Sequence, residues 1–158
     1  MTIMIDCSLI KLIPADEIYK EFSYQVKRAA EGKYITLMFG WDEAVQRSFH
    51  DKAWQHQKPD IITYDGQLIG TIATIENEDF VEIGQFFILP EYQNKGIGTY
   101  LLKNILDKAD QLGKNVTLKF LKNNPVESLY VRNGFRIVDT SGILYYMERK
   151  PVGKNNSS

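Results

Sequence analysis

The stretch from Phe80 to Gly113 leaves the chain few folds to choose from. Phe80 to Leu89 is mostly apolar and is stopped by Pro90, which reads as a long strand, central in its sheet and covered on both faces. Leu101, Leu102, Ile105, Ala109 and Leu112 then recur at helical spacing up to Gly113, a well-placed C-terminal cap, and predict an amphipathic helix. Pro90-Glu91-Tyr92-Gln93-Asn94-Lys95-Gly96-Ile97-Gly98-Thr99 connects the two. A strand that passes through a glycine-bearing loop straight into a helix is an α/β building block.

The rest of the chain extends that block. Ser8 to Ile13 is a short strand candidate closed by Pro14, and Ile18, Phe22 and Val26 predict a helix that ends near Gly32. An apolar loop from Tyr34 to Trp41 follows, then a second helix from Asp42 to about Trp54 with Ala44, Phe49 and Trp54 roughly on one side. Ile61 to Tyr64 and Leu68 to Ile75 flank Asp65-Gly66, a pair that supplies the positive φ angles of a tight hairpin. After a polar turn at Glu76 to Asp79, the long strand is the third of an antiparallel set. Val116, Leu118 and Phe120 alternate as in a strand, and a short helix from about Pro125 to Arg132 ends at Asn133-Gly134. Phe135 to Val138 and Ile143 to Met147, joined by a Ser141-Gly142 turn, finish the sheet. The order is β-α-α-β-β-β-α-β-α-β-β with no internal repeat. It predicts one α/β domain over residues 1–150, a mixed and mostly antiparallel sheet flanked by helices, with a disordered tail over 151–158.

Composition narrows the function. With 158 residues, 44% of them hydrophobic and 25% charged, the chain has the makings of one well-cored domain. The net charge of -1 and dispersed basic residues exclude the basic stripe that a phosphate-backbone binder needs, so no nucleic acid is expected. No apolar run approaches the roughly 20 residues of a membrane span and the N-terminus lacks the layout of a secretory signal. Neither a membrane nor a secreted location is expected, and the single Cys7 fits a reducing cytoplasmic compartment. With only His50 and His56 and no cysteine cluster, no metal site is expected.

The loop carries the chemistry. Gly96 and Gly98 can bring backbone N–H groups close to an anion, the helix that begins near Gly98 adds its unsatisfied amides, and Lys95 adds a positive charge. A pyrophosphate suits such a site; a plain strand-to-helix turn with glycines for packing uses the same residues, and so does another phosphate ligand such as a nucleotide. Neither Gly-x-Gly-x-x-Gly nor a Gly-Lys-Ser/Thr ending is present.

Gln93, Gly96 and Gly98 meet every fixed position of Gln/Arg-x-x-Gly-x-Gly/Ala, the signature loop of the GCN5-related N-acetyltransferase family, which this chain resembles. Phe86-Phe87-Ile88-Leu89-Pro90-Glu91-Tyr92 is similar to that family's apolar strand, proline and aromatic lead-in. Asn123, Leu129, Tyr130, Gly134 and Phe135 match its second motif, Asn-x-x-Ala-x-x-Leu-Tyr followed by Gly-Phe, with Val126 in place of the alanine. Trp41 to Arg47 also resembles a segment of some small bacterial members.

The resemblance implies an acyltransferase that moves an acetyl group from acetyl-CoA to a primary amine of a small molecule or peptide by direct attack. The alternative is a non-catalytic module that keeps the coenzyme site as a sensor. It implies that Gln93, Asn94, Lys95, Gly96, Ile97, Gly98 and Thr99 hold the pyrophosphate. It further implies a bulged strand whose Phe87, Ile88 and Leu89 main-chain groups pair with the pantetheine arm, with an N–H of that strand on the thioester oxygen. Asn123 is expected to orient the pantetheine, and Tyr130 to protonate the leaving thiolate as a general acid. Glu82, or else a water chain, is the base that deprotonates the amine. Gln85 is placed for substrate hydrogen bonding, and Trp41, Asp42 and Glu43 for an apolar or cationic acceptor; the bland reading of those three is an aromatic loop with an acidic helix start. Acetyl-CoA is the one cosubstrate, and the expected assembly is a monomer or homodimer.

Overall fold

A computed structural model of the chain describes residues 4–153. Residues 154–158, most of the expected disordered tail, lie outside the described residues, and 151–153 form neither helix nor strand. The elements are β1 (Ile10–Ile13), α1 (Lys20–Phe39), α2 (Glu43–His56), β2 (Asp60–Tyr64), β3 (Gln67–Glu76), β4 (Phe80–Ile88), α3 (Ile97–Leu112), β5 (Asn115–Leu121), α4 (Glu127–Arg132), β6 (Arg136–Asp139) and β7 (Leu144–Arg149). Their order is the one the sequence predicts. The seven strands are arranged β1-β2-β3-β4-β5-β7-β6. The pairs β1–β2, β2–β3, β5–β7 and β6–β7 are antiparallel and β4–β5 is parallel, a mixed and mostly antiparallel sheet with β4 in the middle. The chain divides into two compact units, Met1–Ala73 with Gln85–Ile97 and Thr74–Gly84 with Gly98–Ser158, so β3 and β4 each contribute to both.

In the first unit Asp65 and Gly66 take φ +48 and +82, the left-handed pair that a two-residue hairpin turn requires, and β2 returns as β3 in the expected place. Ile10, Ile61, Ile62, Ile69, Ile72 and Ala73 fill the sheet's buried positions. The first strand is shorter than expected, because Cys7–Leu9 form a 3-10 turn capped by the Asp6 carboxylate. The first helix is longer. Gly32 does not end it; it is buried within the helix, where a β-carbon would make an ordinary van der Waals contact with the Trp41 ring at 3.6 Å. An interior glycine costs a helix about 1 kcal/mol against alanine, and burial of Tyr24, Val26 and Ile35 on the same helix exceeds that cost. The helix stops at Gly40, at φ +75, whose N–H caps Thr36. The expected apolar loop is therefore the last two turns of α1. Its buried side is Ser23, Tyr24, Val26, Gly32 and Ile35, while Ile18, assigned to the stripe from spacing, is 76% exposed.

The second helix buries Gln46, His50 and Trp54 at i, i+4 and i+8, whereas Phe49 is 52% exposed and Ala44 exposed, so the expected apolar side is replaced by a largely polar one. Partners explain it. His50 Nε2 lies 3.1 Å from Ser23 Oγ, its ring meets Tyr24 edge-on at 5.5 Å, and Trp54 Nε1 donates to Glu17 at 2.9 Å.

In the second unit Leu101, Leu102, Leu106 and Ala109 of α3 are buried, with Val81, Ile83, Val116, Leu118, Phe120, Leu121, Phe135 and Met147. Leu112, expected in the stripe, is 46% exposed at the helix end, where Gly113 takes φ +68. Arg149 of β7 reaches α3 with two hydrogen bonds to Asp110, at 2.8 and 3.1 Å. The expectation that the long strand is covered on both faces does not hold: Val81 and Ile83 are buried, but Glu82 and Gly84 to Ile88 are only half-buried. Among the described residues no helix is long and apolar enough to cross a membrane.

Candidate functional site

The strand before the loop has an irregular backbone. Asn77 N–H donates to Phe80 O at the turn, and Leu89 N–H donates to Ile69 O at the other end. Between these points β3 has residues 70–76 and β4 has residues 81–88, so β4 carries one residue more than its neighbour. Gln85, at φ +45, is where the excess is taken up: a bulge. A left-handed non-glycine residue costs about 1–2 kcal/mol and needs support from its surroundings. Thr71 Oγ1, wholly buried, donates to Gln85 O at 2.7 Å, and Gln85 Nε2 donates to Gln57 O at 2.6 Å. The bulge is thus fastened through both the main chain and the side chain of Gln85. Its amide nitrogen, expected to meet substrate, donates to the carbonyl of the C-cap residue of α2.

Beyond the bulge the strand lies tight against β3. A β-carbon on Gly70 would stand 2.4 Å from Phe87 O and 3.2 Å from Ile88 Cα. Of the three residues expected to offer main-chain groups to a pantetheine arm, Leu89 already gives its N–H to Ile69, and Ile88 O accepts Gln93 Nε2 at 2.7 Å. Gln93 therefore anchors the loop to the strand from which it departs.

Pro90–Tyr92 make a single 3-10 turn, with Tyr92 Oη donating to Gln67 at 3.0 Å. Asn94 and Gly96 both take left-handed φ, +59 and +88, and α3 begins at Ile97. Residues of alternating hand at the mouth of a helix turn successive N–H groups to one side, as an anion requires. A β-carbon on Gly96 would meet nothing within 4 Å, so there is room at that point as well. A diphosphate fits this arrangement in charge and space. Lys95 is half-buried beside it, and Gly98 and Thr99 lie in the first turn of α3.

In the second unit, Glu82 pairs with Thr117 at the last position of the parallel β4–β5 ladder and is half-buried. Its neighbours Val81 and Ile83 are buried, so by strand alternation Glu82 faces the opposite side. Asn123 is exposed two residues beyond β5. Tyr130, on the short α4, is 7% exposed and lies between Phe120 and Phe135, each ring centroid 5.7 Å away. That burial pushes its phenol pKa well above the usual value, so it is protonated throughout the neutral range.

The three residues expected around an acceptor have partners within the first unit. Trp41 Nε1 donates to Glu43 at 2.8 Å and its ring lies under Arg28 at 5.5 Å. Asp42 is the N-cap of α2, accepting from Val45 N–H at 3.1 Å. Glu43 also binds Arg47 at 3.2 Å; the Trp41 hydrogen bond, ahead of the others, holds its carboxyl below the usual range. Each thus has a partner on or beside α1 and α2. Among the described residues no group of three or more His, Cys, Asp or Glu side chains could hold a metal.

Sequence reasoning missed Thr71, Gln57 and Gly70. Gly70 left a trace, since a glycine inside a strand marks a bulge or a close backbone approach. Thr71 and Gln57 act on a residue distant in sequence and left none.

Comparison with known proteins agrees with this fold. The chain is 29% identical over 107 residues to the UPF0157 protein YqkA of Bacillus subtilis (strain 168), a match over 66% of this chain and 31% of that one, so the chain spans about a third of that relative's length. Its fold is that of the PaiA N-acetyltransferase from Thermoplasma acidophilum in complex with coenzyme A, with TM-score 0.70, 23% identity and coverage of 89% of this chain and 98% of that one. A GNAT family acetyltransferase from Elizabethkingia anophelis with acetyl-CoA bound gives TM-score 0.64 at 17% identity, over 90% and 98% of the two chains. Residues 20–135, which hold the bulged strand, the loop and the whole Tyr130 motif, match the acetyltransferase (GNAT) family, and the chain belongs to that family.

Proposed function

We propose that this chain transfers the acetyl group of acetyl-CoA to a primary amine by direct attack. The observation that carries the reading is the loop: Asn94 and Gly96 at left-handed φ, opening a helix, behind a strand bulged at Gln85, in a chain of the GNAT family. The coenzyme-bound relatives support the choice of donor. When bound, acetyl-CoA supplies an activated acetyl group. The N–H groups of 94–98 hold its pyrophosphate, with Lys95 adding charge. Main-chain groups of Phe87 and Ile88 run beside the pantetheine, and Asn123 orients it.

In the transfer a nitrogen–carbon bond forms, the carbon–sulfur bond breaks with its electron pair going to sulfur, and the amine gives up one proton. Glu82, or water it orders, takes that proton. Tyr130 gives one to the departing thiolate. Burial keeps this phenol protonated and makes its phenolate costly, so it is reprotonated from solvent within the turnover. Trp41, Asp42 and Glu43 shape the acceptor side by fixing the start of α2, and Gln85 does so through the bulge.

The test is acetyl-CoA binding by calorimetry, followed by thiol release over a panel of primary amines: amino acids, polyamines and peptide N-termini. Binding with amine-dependent thiol release is expected. Tight binding with no release on any amine would favour the non-catalytic module, and equal thermal stabilisation by ATP would favour a nucleotide site.

A further inference from the structure

The fastening of Gln85 has a directional consequence. The Gln85 carbonyl points to the Thr71 hydroxyl on β3, and every described peptide bond is trans. In a trans peptide the C=O and the following N–H point in opposite directions. The Phe86 N–H is therefore turned away from β3. In a strand without the extra residue, hydrogen-bonding directions alternate without interruption and this peptide would not be fixed by a side chain.

Two contacts hold it there. Thr71 is 0% exposed, so its hydroxyl cannot exchange the Gln85 carbonyl for bulk water. Gln57 is the C-cap of α2, and a carbonyl at a helix C-terminus carries partial negative charge, which strengthens it as an acceptor for Gln85 Nε2. Neither contact touches the loop, and Thr71 does not belong to either sequence motif.

We propose that Thr71, with Gln57, locks the Gln85 peptide so that the Phe86 N–H is aimed at the thioester oxygen, which makes Thr71 a positioning residue for acetyl transfer. The inference rests on the proposed function and goes beyond it in naming the group that orients the donor. A preorganised N–H loses its value when its peptide can rotate, even if the coenzyme still binds. Thr71 then acts on turnover and carbonyl polarisation rather than on the grip on the coenzyme.

The experiment is infrared difference spectroscopy of [1-13C]acetyl-CoA bound to the full chain, with calorimetric affinity and melting curves on the same samples. In wild type the thioester carbonyl stretch is expected below its position in water. Thr71→Val and Thr71→Ala should lose most of that shift while binding acetyl-CoA within about threefold of wild type, and with an acceptor amine should lower kcat about tenfold or more. Either variant suffices if the other does not fold. Thr71→Ser restores the hydroxyl and should restore the shift. Thr63→Val is the control, because Thr63 is also buried and also bonds a carbonyl, Lys11 O, at 3.3 Å; it should lower the melting temperature and leave the shift intact. A folded Thr71→Val protein that binds acetyl-CoA with the wild-type shift overturns the lock and leaves the proposed function standing. A wild-type protein that does not bind acetyl-CoA overturns both.

Discussion

The carbonyl oxygen of Phe87 lies 2.4 Å from where a β-carbon on residue 70 would stand. Only glycine lets β3 and the bulged half of β4 come that close. Gly70→Ala must push the two strands apart, and overpacking of this kind costs about 1–3 kcal/mol. At about 2–4 °C per kcal/mol for a chain of this size, the expected loss is several degrees in the melting temperature. An unchanged melting curve would show that β4 can shift without cost.

Gly96 has space around it but not an ordinary backbone, at φ +88. Gly96→Val must adopt a conformation that costs a β-branched residue about 1–3 kcal/mol, or rearrange the loop. Acetyl-CoA affinity should drop about tenfold or more, since one loop N–H after another loses its alignment. Calorimetry reads this directly, and wild-type affinity would remove Gly96 from the site.

Tyr130→Phe keeps the ring between Phe120 and Phe135 and removes only the hydroxyl. Loss of a general acid lowers turnover by about 10²–10⁴-fold, while acetyl-CoA affinity should stay within about twofold. Steady-state rates with the best amine of the panel, beside calorimetry, check both halves. Unchanged turnover would end the acid assignment.

Asp110 accepts both Arg149 contacts and also Val152 N–H at 2.9 Å, with side-chain exposures of 20% for Asp110 and 11% for Arg149. Asp110→Ala leaves a mostly buried guanidinium without its partner, a loss of about 3 kcal/mol. The Arg47–Glu21 pair is as short, at 2.6 Å, but its side chains are 42% and 61% exposed, and Glu21→Ala should cost under about 1 kcal/mol. Urea denaturation of the two variants separates these cases.

His50 predicts a pH response. Burial, and then the charge of Lys27, lower its pKa below the ordinary 6.5. The folded imidazole stays neutral where the unfolded one binds a proton, so its stability contribution is present above pH 6.5 and is lost as pH falls below that value. Carboxylates held low contribute further down, as with Glu21, held at about 2 by Arg47 and starting from 4.5. Glu31, raised by burial, works against the His50 loss as pH falls, so the His50 variant is the comparison that isolates it. Melting temperature should be nearly level above pH 7 and fall between 6.5 and about 5, and His50→Gln should flatten that interval. A His50→Gln curve that falls there as wild type does contradicts the assignment.

Local chemistry made the element order and the loop readable. Period-two and period-3.6 patterns need only neighbouring residues, and Asp65-Gly66 and the Gln93 to Gly98 segment each declare their backbone in a few positions. What was misread depends on distant partners. Gly32 reads as a stop until the burial of Ile35 beyond it shows that packing carries the helix past the glycine. Ala44 and Phe49 read as part of the buried side of the second helix until Ser23 is found across from His50. The bond from Gln85 to Gln57, 28 residues earlier, likewise leaves no local trace.

Because β3 and β4 each change unit partway along their length, no continuous segment of the gene encodes either unit. A single recombination event between two relatives can therefore keep at most one unit whole and always splits the other. For the same reason, a fragment ending at Ala73 would lack the Gln85 to Ile97 stretch that completes the first unit.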